Sequence, residues 1–283
     1  MRNLTKLVLT FALLVCSAGS ISAELGKAAL VSSLMEKSGM KVQIDLIPAQ
    51  VTAGIHESAR QGVPMDVVIQ DKLVGALDTV SLNQDVRAYL VDKMSNDEVR
   101  QVLAWLESPL GRRVVAMEID ASQPDNMMKM SEVFEAEQAR PGRLSRIHRL
   151  DEAVLSKERS KDLMINMQVF FGMAMVAERG SPKRANYAQT RRNIERAMTP
   201  MWDELEQVVT MMYLFTYREL SDTDFDLYLE FTESALGQKY NRVLYGGLSH
   251  AFHQAGKMLH QSLRSACRVR QPGCDGVHPY PLV

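Results

Sequence analysis

The chain carries one short sequence pattern twice, and this repeat constrains the fold more than any other feature. Residues 107–113 read Glu-Ser-Pro-Leu-Gly-Arg-Arg, and residues 233–239 read Glu-Ser-Ala-Leu-Gly-Gln-Lys. When the two patterns are aligned residue by residue, the preceding residues also pair: Ser95 with Ser221, Glu98 with Asp224, Val99 with Phe225, Leu103 with Leu229 and Trp105 with Phe231. We therefore expect a whole supersecondary unit to be duplicated. We call residues 95–113 the first motif segment and residues 221–239 the second motif segment.

Each motif segment begins with the signal of a helix N-terminus. Ser95 with Glu98, and Ser221 with Asp224, have the spacing of a capping box, in which a serine hydroxyl and an acidic side chain satisfy unpaired backbone N–H groups. Apolar residues follow at helical spacing: Val99, Val102, Leu103 and Leu106 in the first segment, and Phe225, Tyr228, Leu229 and Thr232 in the second. Both patterns predict amphipathic helices that face a core.

The shared Glu-Ser-Pro/Ala-Leu-Gly pattern predicts a bend between two helices. Glu107 ends one helix, Ser108 is placed to cap the next, and Pro109 occupies a first-turn position whose N–H would be unused. The corresponding residues of the second segment are Glu233, Ser234 and Ala235. Because alanine replaces the proline there, we expect that helix to run through. We interpret Gly111 and Gly237 as positions where a missing side chain lets another backbone approach closely.

Helical spacing of apolar residues continues along most of the chain, and the period-two alternation of strands is almost absent. The predicted fold class is all-α, a helical bundle built from two pseudo-repeated helical lobes. We divide the chain into a signal peptide (1–23), a first helical repeat (24–120), a helical connector (121–157), a second helical repeat (158–266) and a disulfide-closed C-terminal tail (267–283). We expect Pro48 to kink or restart a helix over 42–60, and a further helix from Pro64 to about Met94 with a break near 81–83.

The first residues have the pattern of a secretory signal peptide. Arg2 and Lys6 precede an apolar run from Leu7 to Val15, which is too short to span a bilayer, and small residues follow it. A membrane anchor is the alternative that this short run disfavours. We expect cleavage after Ala23, a periplasmic location and no transmembrane segment in the mature chain.

The cysteines agree with an exported protein. Cys16 would leave with the signal peptide, and Cys267 and Cys274 would remain on either side of a Pro-Gly turn. In an oxidising compartment we expect these two to form a disulfide. A redox or metal-binding dithiol is the alternative, but the spacing is not Cys-x-x-Cys.

The charge balance argues against a nucleic-acid partner. The chain has 33 Lys and Arg against 34 Asp and Glu residues, for a formal net charge of −1, and the signs are well mixed. With 46% hydrophobic residues, a chain of this length can bury the core of one large or two modest domains.

Together the motifs resemble a known family. The pattern Ser-x-x-Asp/Glu, an aromatic residue, and then Glu-Ser-Pro/Ala-Leu-Gly-x-Lys/Arg is similar to that of the bacterial periplasmic family catalogued as domain of unknown function 2059, most clearly over 84–117 and 210–243. Its members often have a Ser-Gly and a Leu/Ile-Pro pair in a leader helix, as in Ser38 with Gly39 and Ile47 with Pro48. The resemblance implies an exported helical protein, present here as two tandem copies, and it implies no activity.

The histidines offer one conceivable metal site. His250, His253 and His260 lie on one face of a predicted helix, and two imidazoles one turn apart can share a metal ion. No Asp or Glu of that segment completes the ligand set. We assign no metal-binding residue and interpret these histidines as solvated or capping side chains.

Methionine is abundant, with 18 residues. The clusters are Met127, Met128 and Met130; Met164 and Met167; Met173 and Met175; and Met211 and Met212. Core filling at helical spacing is the simplest interpretation. Copper ligation and an adaptable apolar groove are functional alternatives, of which we favour the groove because the clusters lie among other apolar residues.

The sequence provides no catalytic or cofactor-binding residue that we would assign, because it lacks a Gly-rich phosphate loop, a Gly-x-Ser-x-Gly elbow and a Cys-His pair in a known context. We expect a non-catalytic binding or interaction protein of the cell envelope, with an apolar groove between its lobes and an envelope protein, peptide or lipid as its partner. An envelope-acting hydrolase and a metal-handling protein are the alternatives.

Overall fold

A computed structural model describes residues 26–62, 64–123, 140–154, 156–178 and 187–268, together with residues 126, 129, 136 and 137. Nearly all of these residues are helical and none is in a β-strand, which confirms the predicted all-α class. The helices are α1 (26–37), α2 (Met40–Arg60), α3 (Val67–Gly75), α4 (Thr79–Lys93), α5 (Asn96–Leu106), α6 (Pro109–Ala121), α7 (Arg143–Val154), α8 (Ser156–Glu178), α9 (Tyr187–Met198), α10 (Trp202–Thr216), α11 (Asp222–Glu233) and α12 (Ala235–Arg268). Within the described part of the chain, no helix is both long and apolar enough to cross a bilayer.

Local capping decides where the helices after α2 begin. Asp66 accepts hydrogen bonds from two backbone N–H groups at the start of α3, and Asp78 accepts one at the start of α4. The helix expected from Pro64 to about Met94 is therefore interrupted at 76–78 and not near 81–83. Pro64 lies ahead of α3 and outside its first turn.

Helix α2 does not restart at its proline. It runs without a break from Met40 to Arg60 with Pro48 inside it. The Thr52 hydroxyl donates to the Pro48 carbonyl oxygen at 2.8 Å, so this carbonyl has a side-chain partner one turn further on. The buried residues of α2 are Met40, Ile44, Ile47, Val51 and Ile55, and this continuous apolar face holds the helix on the core.

Helix α12 is the central element, and it packs along both α4 and α8. It continues through Gly246 and Gly247. A side chain at Gly246 would approach the Tyr89 hydroxyl to 2.9 Å, and one at Gly247 would approach Leu90 to 2.9 Å. The two glycines therefore permit the close packing of α4 on α12.

Helix α7 lies within the segment predicted as a connector and packs against α11. Ile147 and Leu150 are buried in the same hydrophobic cluster as Phe225 and Leu229. This part of the segment therefore contributes directly to the core.

The predicted bend is present in both motif segments. α6 follows α5 after Ser108, and α12 follows α11 after Ser234. Ser234 has an extended backbone, with φ −63° and ψ 153°, so the expectation that this helix runs through is wrong. Each serine hydroxyl accepts the N–H of the glycine three residues later at 3.0 Å, and this cap forms without a proline at Ala235.

The glycines of the two bends have the same surroundings. A side chain at Gly111 would overlap the carbonyl oxygen of Trp105, and one at Gly237 would overlap that of Phe231. The last turn of the first helix thus lies directly on the first turn of the next. This confirms the interpretation of both glycines as sites of close backbone approach.

Equivalent residues of the two motif segments also meet each other. Trp105 stacks on Phe231 with ring centroids 4.0 Å apart and planes inclined by 8°. Two ion pairs, each with an N–O distance of 2.6 Å, join Arg113 to Asp224 and Lys239 to Glu98. In both pairs the basic residue near the end of one segment meets the acidic residue near the start of the other. Each motif segment thus contributes one basic and one acidic residue to these two contacts.

Some expectations lie outside the described residues. They concern the signal peptide over 1–23, the tail that contains Cys274, and the cluster of Met127, Met128 and Met130. The disulfide between Cys267 and Cys274 therefore stays a prediction.

Candidate functional site

A cavity of about 740 Å³ lies among α2, α5, α6, α7, α8, α10, α11 and α12, and we call it the apolar cavity. Most of its lining is aliphatic or aromatic, including Ile47, Val51, Trp105, Leu106, Met167, Phe171, Phe231 and Leu244. Both motif segments contribute to the wall. The volume is within the range of about 300 to 1,000 Å³ that is usual for small-molecule pockets.

Helix α2 forms one exposed edge of the apolar cavity. Its buried residues Ile47 and Val51 line the interior. Gln50, Gly54 and Ser58 line the cavity as well and are exposed to solvent. The cavity therefore reaches the protein surface along this helix.

A carboxyl group, that of Glu118, stands on this mainly apolar wall. The Glu118 Oε1 atom accepts hydrogen bonds from the hydroxyls of Tyr217 at 2.7 Å and Tyr228 at 3.2 Å, and the two hydroxyl oxygens are 3.3 Å apart. Oε2 has no hydrogen bond to any described residue, and Glu118 keeps some accessible surface while lining the cavity. We call Glu118, Tyr217 and Tyr228 the polar anchor.

The electrostatics of the polar anchor follow from its burial. Removal from water raises the pKa of Glu118 above its ordinary value, and the two tyrosine hydrogen bonds oppose this only in part. Burial, and next the nearby carboxyl of Glu118, raise the pKa of Tyr217 and Tyr228. The tyrosines therefore stay neutral donors, and Glu118 offers the cavity a group that can accept or share a proton.

Arg143 holds the chain that carries Tyr217. This arginine is fully buried, and its Nη2 donates to the carbonyl oxygens of Tyr217 at 2.9 Å and Leu220 at 3.0 Å. Its guanidinium also lies 5.2 Å from the centre of the Phe225 ring. Arg143 thus satisfies carbonyls beyond the end of α10 and fixes the turn from which Tyr217 reaches Glu118.

Glu118 is not among the residues predicted from the sequence, although helix α6 carries a signal for it. Val114, Val115 and Ala121 form the buried stripe of α6, and Glu118 lies at helical spacing between them. A carboxylate on the apolar face of an amphipathic helix is costly unless it is hydrogen-bonded or functional. Tyr217 carried no comparable signal, because its partner is distant in sequence.

The residues predicted as the structural motif lie outside the apolar cavity. Ser95 and Glu98 form the complete capping box, in which Ser95 Oγ accepts the Glu98 N–H at 3.3 Å and Glu98 Oε2 accepts the Ser95 N–H at 2.8 Å. Ser221 Oγ accepts the Asp224 N–H at 3.1 Å. The shorter Asp224 side chain accepts from the Ser221 hydroxyl and does not complete the box.

The acidic residues at the two bends take part in ion pairs on the surface. Glu107 lies 3.8 Å from Lys37, and Glu233 lies 2.8 Å from Arg149. Ser108, Pro109, Gly111, Ser234 and Gly237 shape the backbone as described above. The repeated motif therefore builds the scaffold around the cavity.

The three histidines of α12 do not converge on one site. His250 and His253 line a second pocket together with Arg191 and Arg242, and His260 is not part of that lining. Among the described side chains, no group of three or more His, Cys, Asp or Glu residues is arranged to hold a metal ion.

Two methionines from the predicted clusters, Met167 and Met212, line the apolar cavity. Met164 packs against the core from a partly buried position.

Comparison with known proteins assigns a family description to part of the chain. Residues 81–136 match the family model described as "Uncharacterized protein conserved in bacteria (DUF2059)". The match includes the first motif segment and Glu118, and it confirms the resemblance for that segment alone, so the tandem duplication stays a prediction. No curated protein and no solved structure matches the chain.

Proposed function

We propose that this protein is a non-catalytic binding protein of the bacterial periplasm, which holds a mainly apolar ligand in the apolar cavity. The observation that carries the proposal is the cavity itself, about 740 Å³ of space with one hydrogen-bonded carboxyl on its wall. Protein interiors are normally packed at the density of organic crystals, so a void of this size loses many contacts. A bound apolar molecule would restore those contacts.

The polar anchor defines what the ligand needs at its buried end. Tyr217 and Tyr228 occupy Oε1 of Glu118, and Oε2 is left for a ligand atom. A ligand with an apolar body and a hydroxyl or amine group fits this arrangement, because the donor would satisfy Oε2. Single-chain lipids with such a group are the class that we favour.

The proposed architecture is two copies of one helical unit packed about a pseudo-twofold axis. The stack of Trp105 on Phe231, with the exchanged ion pairs around it, supports this proposal. The cavity then lies where the copies meet, as the expectation of a groove between lobes requires.

Acid–base chemistry on the bound molecule is a second candidate function. The observation that favours it is the buried carboxyl of Glu118, whose pKa is raised by burial within a cavity. The two functions differ in their product: a binding protein returns the ligand unchanged. Mass spectrometry of the ligand after incubation with the wild-type protein and with Glu118→Gln separates them.

Cavity filling provides the direct test of binding. Val51 is buried and lines the cavity, so Val51→Phe places a ring inside it. We expect this variant to bind dodecanol and dodecylamine about tenfold more weakly than the wild type, because the added ring overpacks the occupied cavity. Isothermal titration calorimetry, on protein refolded from denaturant to remove co-purified molecules, measures the effect.

A matched control exists on the same helix. Val42 is exposed, so Val42→Phe makes the same chemical change outside the cavity and should leave the affinity unchanged. The proposal fails if neither probe binds the wild-type protein, or if Val51→Phe and Val42→Phe bind both probes equally well.

A further inference from the structure

The second pocket, which we call the basic pocket, has a volume of about 500 Å³ and is bordered by α4, α8, α9 and α12. Its lining includes Arg191, Arg242, His250, His253, Asn166 and Ser249. Two arginines and two histidines thus line one pocket. This combination disfavours a metal ion, because the guanidinium groups are permanently positive.

Buried polar contacts fix one of the two arginines. Asn166 is 7% exposed, and its side-chain oxygen accepts a hydrogen bond from Arg191 Nη1 at 2.6 Å. The Asn166 amide nitrogen donates to Ser249 Oγ at 2.7 Å. Arg191 also contacts Glu195 at 2.8 Å and Asp162 at 3.6 Å. The guanidinium is therefore held at the pocket wall before any ligand arrives.

Because Glu195 and Asp162 both contact Arg191, the second arginine of the basic pocket, Arg242, supplies the positive charge that is available to a ligand. Arg242 is exposed and forms no ion pair with a described residue. Asp162 also lines the pocket, but it is exposed and lies at the longer distance from Arg191. Burial lowers the pKa of His253, and the positive charges of Lys257, His250 and Arg191 add to this effect. An anion among these groups would offset their mutual repulsion.

We infer that the basic pocket binds a phosphate group through Arg191, Arg242, His250 and His253. A phosphate presents at least three acceptor oxygens, which matches several converging donors better than the two oxygens of a carboxylate. The source is either free inorganic phosphate or the head group of an amphiphile. Tyr245 lines both the basic pocket and the apolar cavity, so a chain in the cavity and a head group in the pocket would lie side by side.

Arg242→Gln is the principal test. Arg242 forms no ion pair with a described residue, so this substitution breaks no such contact within the protein. We expect this variant to bind inorganic phosphate or dodecyl phosphate about tenfold more weakly than the wild type, through loss of charge-assisted hydrogen bonds. Arg191→Gln should weaken binding as well. The matched control is Arg192→Gln. Arg192 is exposed on α9, the helix that carries Arg191, and is not part of the pocket lining. Thermal unfolding of all three variants checks that the fold is kept.

The imidazole signals of His253 and His250, followed by nuclear magnetic resonance during a pH titration, give an independent readout. Phosphate should raise the pKa of His253, because a bound anion favours the charged imidazole. The other charged and titratable groups that face this region are Tyr89, Asp162, Arg191, Glu195, Arg242, Tyr245 and Lys257. All of them are the same in the two titrations, one with and one without phosphate.

Binding of three probes, inorganic phosphate, dodecanol and dodecyl phosphate, distinguishes the two possible sources of the phosphate group. If the source is a head group, dodecyl phosphate binds more tightly than both dodecanol and inorganic phosphate, and Arg242→Gln reduces it to the level of dodecanol. If the source is free phosphate, inorganic phosphate binds and the alkyl chain adds nothing. The inference is overturned if neither phosphate compound moves the His253 signals, or if Arg242→Gln binds both as Arg192→Gln does. It stands apart from the proposed function, because dodecanol binding can fail while inorganic phosphate binds.

Discussion

The two bends have the same backbone but different sequences. At the first bend a proline follows the capping serine and the preceding helix begins with a complete capping box, whereas the second bend has Ala235 and an incomplete box. In both bends the next helix nevertheless begins directly after the capping serine. The features that they share are the serine cap and the glycine three residues later. The comparison indicates that serine and glycine define this bend and that proline is dispensable.

The same comparison shows where the two motif segments have different surroundings. At the repeat offset, the counterpart of Glu118 is Leu244, and the counterparts of Tyr217 and Tyr228 are Val91 and Val102. The polar anchor thus combines the carboxyl of Glu118, which follows the first motif segment, with Tyr228 of the second motif segment and Tyr217 just before it. The three counterpart residues at the repeat offset are all apolar. The carboxyl group of the apolar cavity therefore has no counterpart at the equivalent position of the repeat, and under the proposed function a ligand would bind in one orientation.

The largest expected effect comes from the bend glycines. Gly111→Ala and Gly237→Ala each place a methyl group on a backbone carbonyl, and we expect each to lower the free energy of unfolding by about 3 kcal/mol. Gly75→Ala is the control, because nothing lies within 4 Å of a side chain at that position. Chemical denaturation measures all three. A large loss at one bend and none at the other would show that the bends are not equivalent.

The next largest effect is a pH dependence of the free energy of unfolding. It comes from Glu118, whose counterpart in the repeat is apolar. Burial raises the pKa of Glu118 in the folded protein above 4.5, so the protonated carboxyl favours the folded state. This contribution to the free energy of unfolding is complete at low pH. It is lost as the pH rises through the pKa of Glu118 in the folded protein. Relative to wild type, Glu118→Gln should therefore become more stable with rising pH, by at most about 1.4 kcal/mol per pH unit, and then level off.

Denaturation curves between pH 4 and pH 9 test this slope. Glu230→Gln, at an exposed position of α11, controls for the loss of one negative charge. If Glu118→Gln and Glu230→Gln follow the same pH dependence, the carboxyl of Glu118 is not desolvated in the folded protein.

A smaller effect tests whether proline is dispensable. Ser234 already has the extended backbone that a following proline requires, so Ala235→Pro should fit the first position of α12. We expect it to raise the free energy of unfolding by about 0.5 kcal/mol through a less flexible unfolded chain, and Pro109→Ala to lower it by a similar amount. Loss of folding in Ala235→Pro would mean that the second bend needs a different local conformation.

The smallest effect is expected from the exchanged ion pairs. A double-mutant cycle of Lys239→Ala with Glu98→Ala should give a coupling of about 0.5 kcal/mol, because both side chains are partly exposed. The pair of Arg113 with Asp224 is more exposed on its basic side and should couple more weakly. Both couplings should shrink in high salt. Couplings that do not respond to salt would indicate that the contacts act through packing.

Much of the local structure could be predicted from sequence because its causes are local. The caps at Ser95 and Ser108 and the close approach at Gly111 depend on residues within one or two turns of each other. Where a local signal was read incorrectly, another nearby residue was responsible. Asp78 moved the break between α3 and α4, and the cap at Ser234 outweighed the missing proline.

The candidate site was less predictable because it depends on contacts between distant segments. The carboxyl of Glu118 meets Tyr217 and Tyr228 only after α6, α10 and α11 have packed together. The basic pocket likewise joins Arg191 of α9 to Ser249 of α12 through the buried amide of Asn166. No periodicity in the chain encodes these distances.

By itself, then, the sequence determined the helical class, the repeated bend and the residues that shape it, because caps, glycines and apolar stripes act over a few residues. Only the tertiary structure decided that the two motif segments meet at Trp105 and Phe231, and that both of them line a mainly apolar cavity that contains the carboxyl of Glu118. The physical reason is that side-chain packing between helices far apart in the chain determines both the space left unfilled and the polar groups that face it.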